Sequence, residues 1–320
     1  MKSIYHFFRL IRVLNLVVIG LTMTVIEEFL LRYSSPYSKD SHDLPSVMCN
    51  QSIDLSNFYL LLLSTLLIAA AGNIINDYFD VKADRVNKPK RLIIGKYIKR
   101  RWAMAMHWSF NLVGFILALY IGYVLQNIWI PIVSLISINL LWFYSAYFKR
   151  KPLIGNIMIA LLLGVIPIYV LVFNEPNLFN VSEYLIVPIL FISSIAFLMN
   201  LVRELVKDIQ DVRGDLRLNA QTFPIKYGIK KTKILILVIS LILLVVMLGF
   251  VGYAVELGLN VYIEMIFFKE TFFYLLFMSI GFYSISLFTT IVFNKQKSYR
   301  IASLLLKLSM VLGLLTPLLL

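Results

Sequence analysis

Apolar and polar positions along this chain fall into long blocks, without the two-residue alternation of a half-buried strand. Nine apolar blocks of about twenty residues, each long enough to cross a bilayer as a helix, recur near 12–31, 56–76, 103–125, 128–147, 156–174, 182–203, 233–256, 271–293 and 300–320. The pattern predicts an all-α, polytopic membrane protein of about nine transmembrane helices.

Composition agrees. Of 320 residues, 60% are hydrophobic and 15% charged, which lies outside the range of soluble domains. The first block lacks the small-residue exit of a cleaved signal peptide and continues as a full span. A single cysteine, Cys49, excludes an intramolecular disulfide.

The formal charge of +13 is distributed in a way that excludes a nucleic-acid partner. The cations gather in loops between apolar blocks, with no basic aromatic face. Lys82 to Arg101 follows the second block, Lys149–Lys151 the fourth, Arg213 to Lys231 the sixth, and Lys295 to Arg300 the eighth. The intervening loops are short or acidic. Alternation of this kind places the basic loops and the N-terminus on the cytoplasmic side and the C-terminus outside. Localisation in a cell membrane follows, with both acidic segments described below facing the cytoplasm.

The candidate chemistry sits at the ends of two of these blocks. After the second block comes Asn73-Ile-Ile-Asn-Asp-Tyr-Phe-Asp-Val-Lys-Ala-Asp84. Residues four apart share a helix face, so Asn76, Asp80 and Asp84 form one polar stripe and Asn73 and Asp77 a second. Carboxylates stacked this way repel one another and are costly near a bilayer, so a cation between them is expected. Oxygen donors without His or Cys suit Mg2+, which keeps positions open for phosphate oxygens. The other reading is a solvated acidic helix end. The sixth block closes with a second such segment, where Glu204, Asp208, Asp211 and Asp215 share a face and Arg203 and Lys207 flank them. Gly214 then allows a turn out of the helix, and Pro224 and Gly228 shape the return. Two facing acidic ends amid cations would cradle Mg2+ ions bridged by a diphosphate.

Single polar residues inside spans carry weaker signals. Asn15 is either an interhelical hydrogen bond or a substrate contact. Tyr144 belongs to an interfacial aromatic belt or points its hydroxyl into a cavity. His107 has no second ligand at metal spacing and reads as packing, Asn156 as a helix N-cap, and Lys307 as a charge snorkelling to the interface.

Asn76-Asp-Tyr-Phe-Asp80-Val-Lys-Ala-Asp84 resembles the first Asp-rich motif of the UbiA family of intramembrane prenyltransferases, N-D-x-x-D-x-x-x-D. Lys207-Asp208-Ile-Gln-Asp211-Val-Arg-Gly-Asp215, with Thr222-Phe-Pro224 and Gly228, resembles the second. The likeness includes Arg12 and Asn15 and the Tyr144-Ser145 and Lys149 positions, and it covers nearly the whole chain, so residues 1–320 are expected to form a single domain. The stretch Asn87–Gly95 keeps only part of the usual Arg-Pro-rich sequence and looks more like the digeranylgeranylglyceryl phosphate synthase branch.

The resemblance implies a helical bundle around a central cavity, Mg2+ dependence, and transfer of a prenyl chain from an allylic diphosphate such as geranylgeranyl diphosphate. Carried over by position, Asn76, Asp80, Asp84, Asp211 and Asp215 would hold the magnesium diphosphate, with Asp77 and Asp208 supporting them. Substrate contacts are expected from Asn15, Asn73, Lys88, Lys90, Arg91, Tyr144, Lys149, Arg203 and Lys207. The first choice of acceptor is a prenylated glycerol phosphate lipid, and the alternative is an aromatic acid of quinone biosynthesis, 4-hydroxybenzoate or a naphthoate. A cation transporter would also carry intramembrane carboxylates, but nearer mid-bilayer. A member that kept the fold without the chemistry would not need both motifs intact. A CDP-alcohol phosphotransferase would show Asp-Gly and Ala-Arg pairs that are absent here.

Overall fold

The structure is a computed structural model describing residues 2–34, 55–87, 92–175, 183–217, 220–256 and 270–315. Cys49, Lys88, Lys90 and Arg91 lie outside the described residues, as does the side chain of Asp84. Helix follows helix: α1 (Lys2–Leu10), α2 (Val13–Ser34), α3 (Leu55–Asn87), α4 (Arg100–Val124), α5 (Trp129–Ala146), α6 (Ile154–Asn174), α7 (Glu183–Leu216), α8 (Phe223–Tyr227), α9 (Ile229–Glu256), α10 (Glu270–Val292) and α11 (Gln296–Leu315). A 3-10 turn, Phe148–Arg150, follows α5.

Among the described residues, each of the nine apolar blocks overlaps one long helix. In lipid a backbone must satisfy its own hydrogen bonds, and the helix does this within one segment. Among the described residues, six helices are long and apolar enough to cross a membrane, and Phe277–Val292 is a shorter apolar helix. The count of about nine is therefore approximate. The first and last blocks carry internal charges, Glu27 and Glu28 in α2 and Lys307 in α11.

The described residues gather into two compact units. The first draws on Met1–Met23, Tyr33–Lys149 and Tyr169–Ser182. Within it α3 packs on α4 and α5, and α1 on α3. Gly114 on α4 lets α3 come close: a Cβ there would lie 3.1 Å from the Ser64 carbonyl oxygen, and Ser64 Oγ donates to the Gly114 carbonyl at 2.6 Å. Leu10, Ile11, Ala70, Ile74 and Val81 share a core at the end of α3 that carries the acidic segment.

The second unit draws on Thr24–Arg32, Arg150–Ile168 and Glu183–Leu320. Here α7 packs on α9 and α11, and α10 on α11. Leu198, Val202, Leu205, Val206 and Ile209 line one face of α7 and meet Ile236 and Leu243 of α9 and Ala302 and Leu306 of α11. That stripe is opposite the carboxylate face at the 3.6-residue period. On α6, a Cβ at Gly164 would stand 2.9 Å from Phe197 Cβ and 3.1 Å from the Ser193 carbonyl oxygen, so only glycine fits this approach to α7.

Two local expectations change. α7 runs through Gly214 to Leu216, so the glycine does not end the helix. α6 begins at Ile154, after Leu153 at φ 65°, so Asn156 lies inside its first turn instead of capping it. Gly228, at φ 89°, does turn the chain between α8 and α9, as its sequence position suggested.

Candidate functional site

In the first unit the acidic segment forms the last turns of α3. Its two stripes meet different partners. Lys149, in the turn after α5, donates from Nζ to Asn76 Oδ1 at 2.9 Å and pairs with the Asp80 carboxylate. Both contacts are to the first stripe, and Asn76 is buried. The second stripe holds the break between α1 and α2. Asn73 Nδ2 donates to the Ile11 carbonyl at 2.9 Å, and Asp77 Oδ1 accepts from Arg12 Nη2 at 2.6 Å. Arg12 sits at φ 55°, a left-handed conformation that a non-glycine residue adopts at a cost.

Arg12 is also within electrostatic reach of Asp80 and Tyr144. The break, the end of α3 and the end of α5 therefore converge on one polar region. Asn15 is half-buried one turn further along α2, with its backbone N–H bonded to the Arg12 carbonyl at 2.8 Å. Aromatic rings pack around the end of α3: Phe79 stands edge-on to Trp142 at 5.8 Å, Trp142 lies 5.4 Å from His107, and the Arg100 guanidinium covers Tyr78 at 4.4 Å. His107 is buried and bonds the Ala71 carbonyl at 2.9 Å, which fits a packing role.

In the second unit the acidic segment forms the last turns of α7. Glu204 is buried and accepts from Arg203 Nη1 at 3.0 Å and from Lys207 Nζ at 2.6 Å. Asp208 Oδ2 accepts from Asn156 Nδ2 of α6 at 2.9 Å. Asp211 and Asp215 follow on the same face, half-buried.

Two contributors, Arg12 and Asn156, receive no site role from the sequence, although Arg12 is among the positions that carry the family likeness. The signal for Arg12 was a cation directly before an apolar span. For Asn156 it was a buried-type amide at a span's start, with nothing in the pattern to tie it to Asp208.

Among the described residues no group of three or more His, Cys, Asp or Glu side chains converges as a metal site. The donor chemistry nonetheless fits Mg2+. Amide and carboxylate oxygens of Asn76 and Asp80 already hold a cation, the Lys149 ammonium, and hard oxygen donors are what Mg2+ takes.

Comparison with known proteins follows the same line. The family model for the UbiA prenyltransferase family matches residues 47–278. The chain is 36% identical over 199 residues to the digeranylgeranylglyceryl phosphate synthase of Methanobrevibacter smithii, covering 61% of this chain and 65% of that protein. To the synthase of the same name from Korarchaeum cryptofilum it is 33% identical over 176 residues, 55% of this chain and 58% of that protein. The chain thus matches less than two thirds of the length of these curated relatives. A solved structure concerning digeranylgeranylglyceryl phosphate synthase in membranes superposes with a TM-score of 0.65 at 24% identity, over 99% of this chain and 98% of that one. A UbiA homologue from Archaeoglobus fulgidus bound to GPP and Mg2+ superposes at 0.57 with 15% identity, over 97% and 99% of the two chains. These structures share the fold, and with the family match over most of its length the chain is a multi-pass membrane protein that belongs to the UbiA prenyltransferase family.

Proposed function

We propose that this protein transfers a prenyl chain from an allylic diphosphate, such as geranylgeranyl diphosphate, to a hydroxyl of a prenylated glycerol phosphate lipid, with Mg2+ as cofactor. The observation that carries the reading is the cation held between Asn76 and Asp80 at the end of a membrane helix. Family membership and relatives named digeranylgeranylglyceryl phosphate synthase support it.

In this reading Asn76, Asp80 and Asp84 on α3, and Asp211 and Asp215 on α7, hold the magnesium diphosphate. Mg2+ supplies the positive charge that lets a diphosphate leave. Asp77 is held by Arg12 and Asp208 by Asn156, so each supports its motif from behind. Lys149, held by Asn76 and Asp80, would offer its ammonium to a departing phosphate oxygen. The allylic C–O bond breaks with its electron pair leaving on the diphosphate. The acceptor oxygen forms the new C–O bond and passes its proton to the released diphosphate. Aromatic faces such as Phe79 and Trp142 suit the transient allylic cation. The N-terminus and both acidic helix ends face the cytoplasm, as the loop charges favour.

The test offers geranylgeranyl diphosphate with a geranylgeranylglyceryl phosphate acceptor and, in parallel, with 4-hydroxybenzoate, and identifies the products by mass spectrometry. The expected product is the doubly prenylated glycerol phosphate, with diphosphate release that EDTA stops. Prenylation of the aromatic acid alone would overturn the acceptor and leave the prenyl transfer standing. Turnover without metal, or no diphosphate release, would overturn the reading itself.

A further inference from the structure

The turn between α3 and α4 gathers positive charge without a matching carboxylate among the described residues. No Asp or Glu occurs in the chain between Asp84 and Glu175, and Lys96, Lys99, Arg100 and Arg101 stand exposed. None of these four is paired with a described carboxylate. Charge in a loop is enough to orient the neighbouring spans, and a mobile loop would serve for that. Here the segment is fixed instead. The Gly95 N–H donates to the Ile98 carbonyl at 2.8 Å and the Tyr97 N–H to the Ile93 carbonyl at 2.9 Å, beside buried Ile93 and Ile94. The Tyr97 ring stacks on His6 of α1 at 3.6 Å.

The cations divide by direction. Arg100 covers Tyr78 of α3 at 4.4 Å, toward the helix that carries the acidic segment. Arg101 faces away from it. Arg101 shares one face of α4 with Trp108, Leu112 and Leu119, which recur at helical spacing and are all exposed. Ala103, His107 and Gly114 are buried on the other side of the helix. The Arg101 guanidinium stands 5.9 Å from the Trp102 ring, and Lys96 Nζ stands 5.2 Å from that of Tyr97. Trp102 is 59% exposed and Trp108 61%, and indole rings at the start of an apolar span mark the headgroup level of a bilayer. Charge at headgroup level and an apolar face at tail depth are thus continuous on one helix. An occupant that satisfies both has an anionic head and an apolar tail, whereas a polyanion without a tail meets only the charge.

We propose that Lys96, Lys99 and Arg101 form a docking site for an anionic phospholipid of the surrounding leaflet, its headgroup on the cations and a tail along Trp108 and Leu112. The proposal needs only the membrane-spanning fold and does not rest on the prenyl-transfer reading. A Lys or Arg at an anionic membrane surface gives about a fivefold preference, so three fixed cations separate anionic from zwitterionic heads. A lipid bound there holds the turn after the acidic end of α3 at the membrane surface. Lys149, which engages Asn76 and Asp80, is a separate cation.

The test uses the full chain in mixed micelles and follows tryptophan quenching by phosphatidylglycerol or phosphatidylcholine with brominated tails. Subtracting the signal of a Trp102→Phe, Trp108→Phe variant isolates the start of α4 from the rest of the four tryptophans. At these two rings the wild type should favour phosphatidylglycerol about tenfold or more, and the preference should shrink as salt is raised. The triple variant Lys96→Gln, Lys99→Gln, Arg101→Gln should bring it below about twofold, while Lys96→Arg, Lys99→Arg, Arg101→Lys should keep it. Equal quenching by the two lipids in the wild type overturns the proposal, as does a full preference in the glutamine variant. No quenching of Trp102 and Trp108 by either lipid means that protein covers this face, and it ends the proposal as well. Soluble glycerol phosphate at the lipid's concentration should not displace the brominated lipid, and displacement would make the site one for a free phosphate. Should the glutamine variant fail to fold, Arg101→Gln alone and the salt dependence of the wild type decide, a salt-independent preference counting against the proposal.

Discussion

Arg12 Nη2 and Asp77 Oδ1 meet at 2.6 Å across 65 residues of sequence, while the Arg12 backbone is held at φ 55°. The ion pair fixes the break between α1 and α2 against the end of α3, and Asn73 reinforces it by taking up the Ile11 carbonyl. A left-handed non-glycine residue costs about 1–2 kcal/mol, so the surrounding contacts must hold it there. Backbone strain of this kind concentrates at functional sites. The second polar stripe of α3 thereby acts as a clamp and leaves the first stripe, Asn76 and Asp80, to face the Lys149 cation.

Substitutions at Arg12 separate the two contributions. Arg12→Ala removes the guanidinium and keeps a Cβ in the left-handed backbone. Arg12→Gly removes the guanidinium and the steric cost together. Both variants should unfold below wild type, by about 1–3 kcal/mol for an unsatisfied, partly buried carboxylate. Arg12→Gly should be the more stable of the pair. Thermal unfolding in detergent measures this, and the reverse order would mean that the backbone is not strained at residue 12.

Asp80 and Lys149 make a sharper pair. Asp80→Ala and Asp211→Ala should each abolish diphosphate release, because each removes a proposed oxygen ligand. Lys149→Gln should lower turnover, since a cation near the leaving phosphates is gone, and should also lower the Mg2+ concentration that gives half-maximal rate. The second effect follows because the ammonium holds the same oxygens that a metal would take. A Mg2+ titration of the variant checks both directions. A higher Mg2+ requirement would show that the ammonium and the metal do not compete.

Helices and stripes were legible in the chain because a bilayer leaves few alternatives. A block of about twenty apolar residues has to be a helix, and the four-residue spacing then places Asn76 with Asp80 and Asn73 with Asp77. The partners of those stripes were not legible. Lys149 reaches Asn76 across 73 residues and Asn156 reaches Asp208 across 52, and no local pattern encodes contacts at such separations. Asn156 read as a cap because it opens the fifth apolar block, whereas the left-handed Leu153 starts the helix earlier. Gly214 read as a terminator, yet the helix continues to Leu216.

Asn156 offers a direct check on the second motif. Its amide N–H is a donor to Asp208, and both side chains are largely withdrawn from solvent. Asn156→Ala should cost about 1–3 kcal/mol through the unmatched carboxylate. Asn156→Asp should cost more, because it removes the donor and sets a second carboxylate against the first. Unfolding midpoints at neutral pH give the ranking. Equal stability of the two variants would show that Asp208 does not rely on this contact.

Topology can be read by labelling. With Cys49 replaced by Ser to remove the native thiol, single cysteines introduced at Arg85 and Arg217 should resist an impermeant thiol reagent applied to intact cells and react after permeabilisation. Ready labelling from outside at either position would invert the orientation.

Gly164 links packing to chemistry. Its missing side chain lets α6 approach α7, where a Cβ would stand 2.9 Å from Phe197 Cβ and 3.1 Å from the Ser193 carbonyl oxygen. Both obstacles belong to the α7 scaffold and are not the mobile end of a long side chain, so the helices themselves must part. Overpacking of this kind costs about 1–3 kcal/mol. The same two helices carry Asn156 and Asp208, whose hydrogen bond at 2.9 Å has little slack. Gly164→Ala should therefore lower stability and also weaken the hold on Asp208, with a loss of turnover similar to that of Asn156→Ala. In the double variant Gly164→Ala with Asn156→Ala the turnover losses should be less than additive, because the first change already disturbs the contact that the second removes. A double-mutant cycle on turnover measures the coupling, and full additivity would show that the α6–α7 approach and the Asp208 contact are independent.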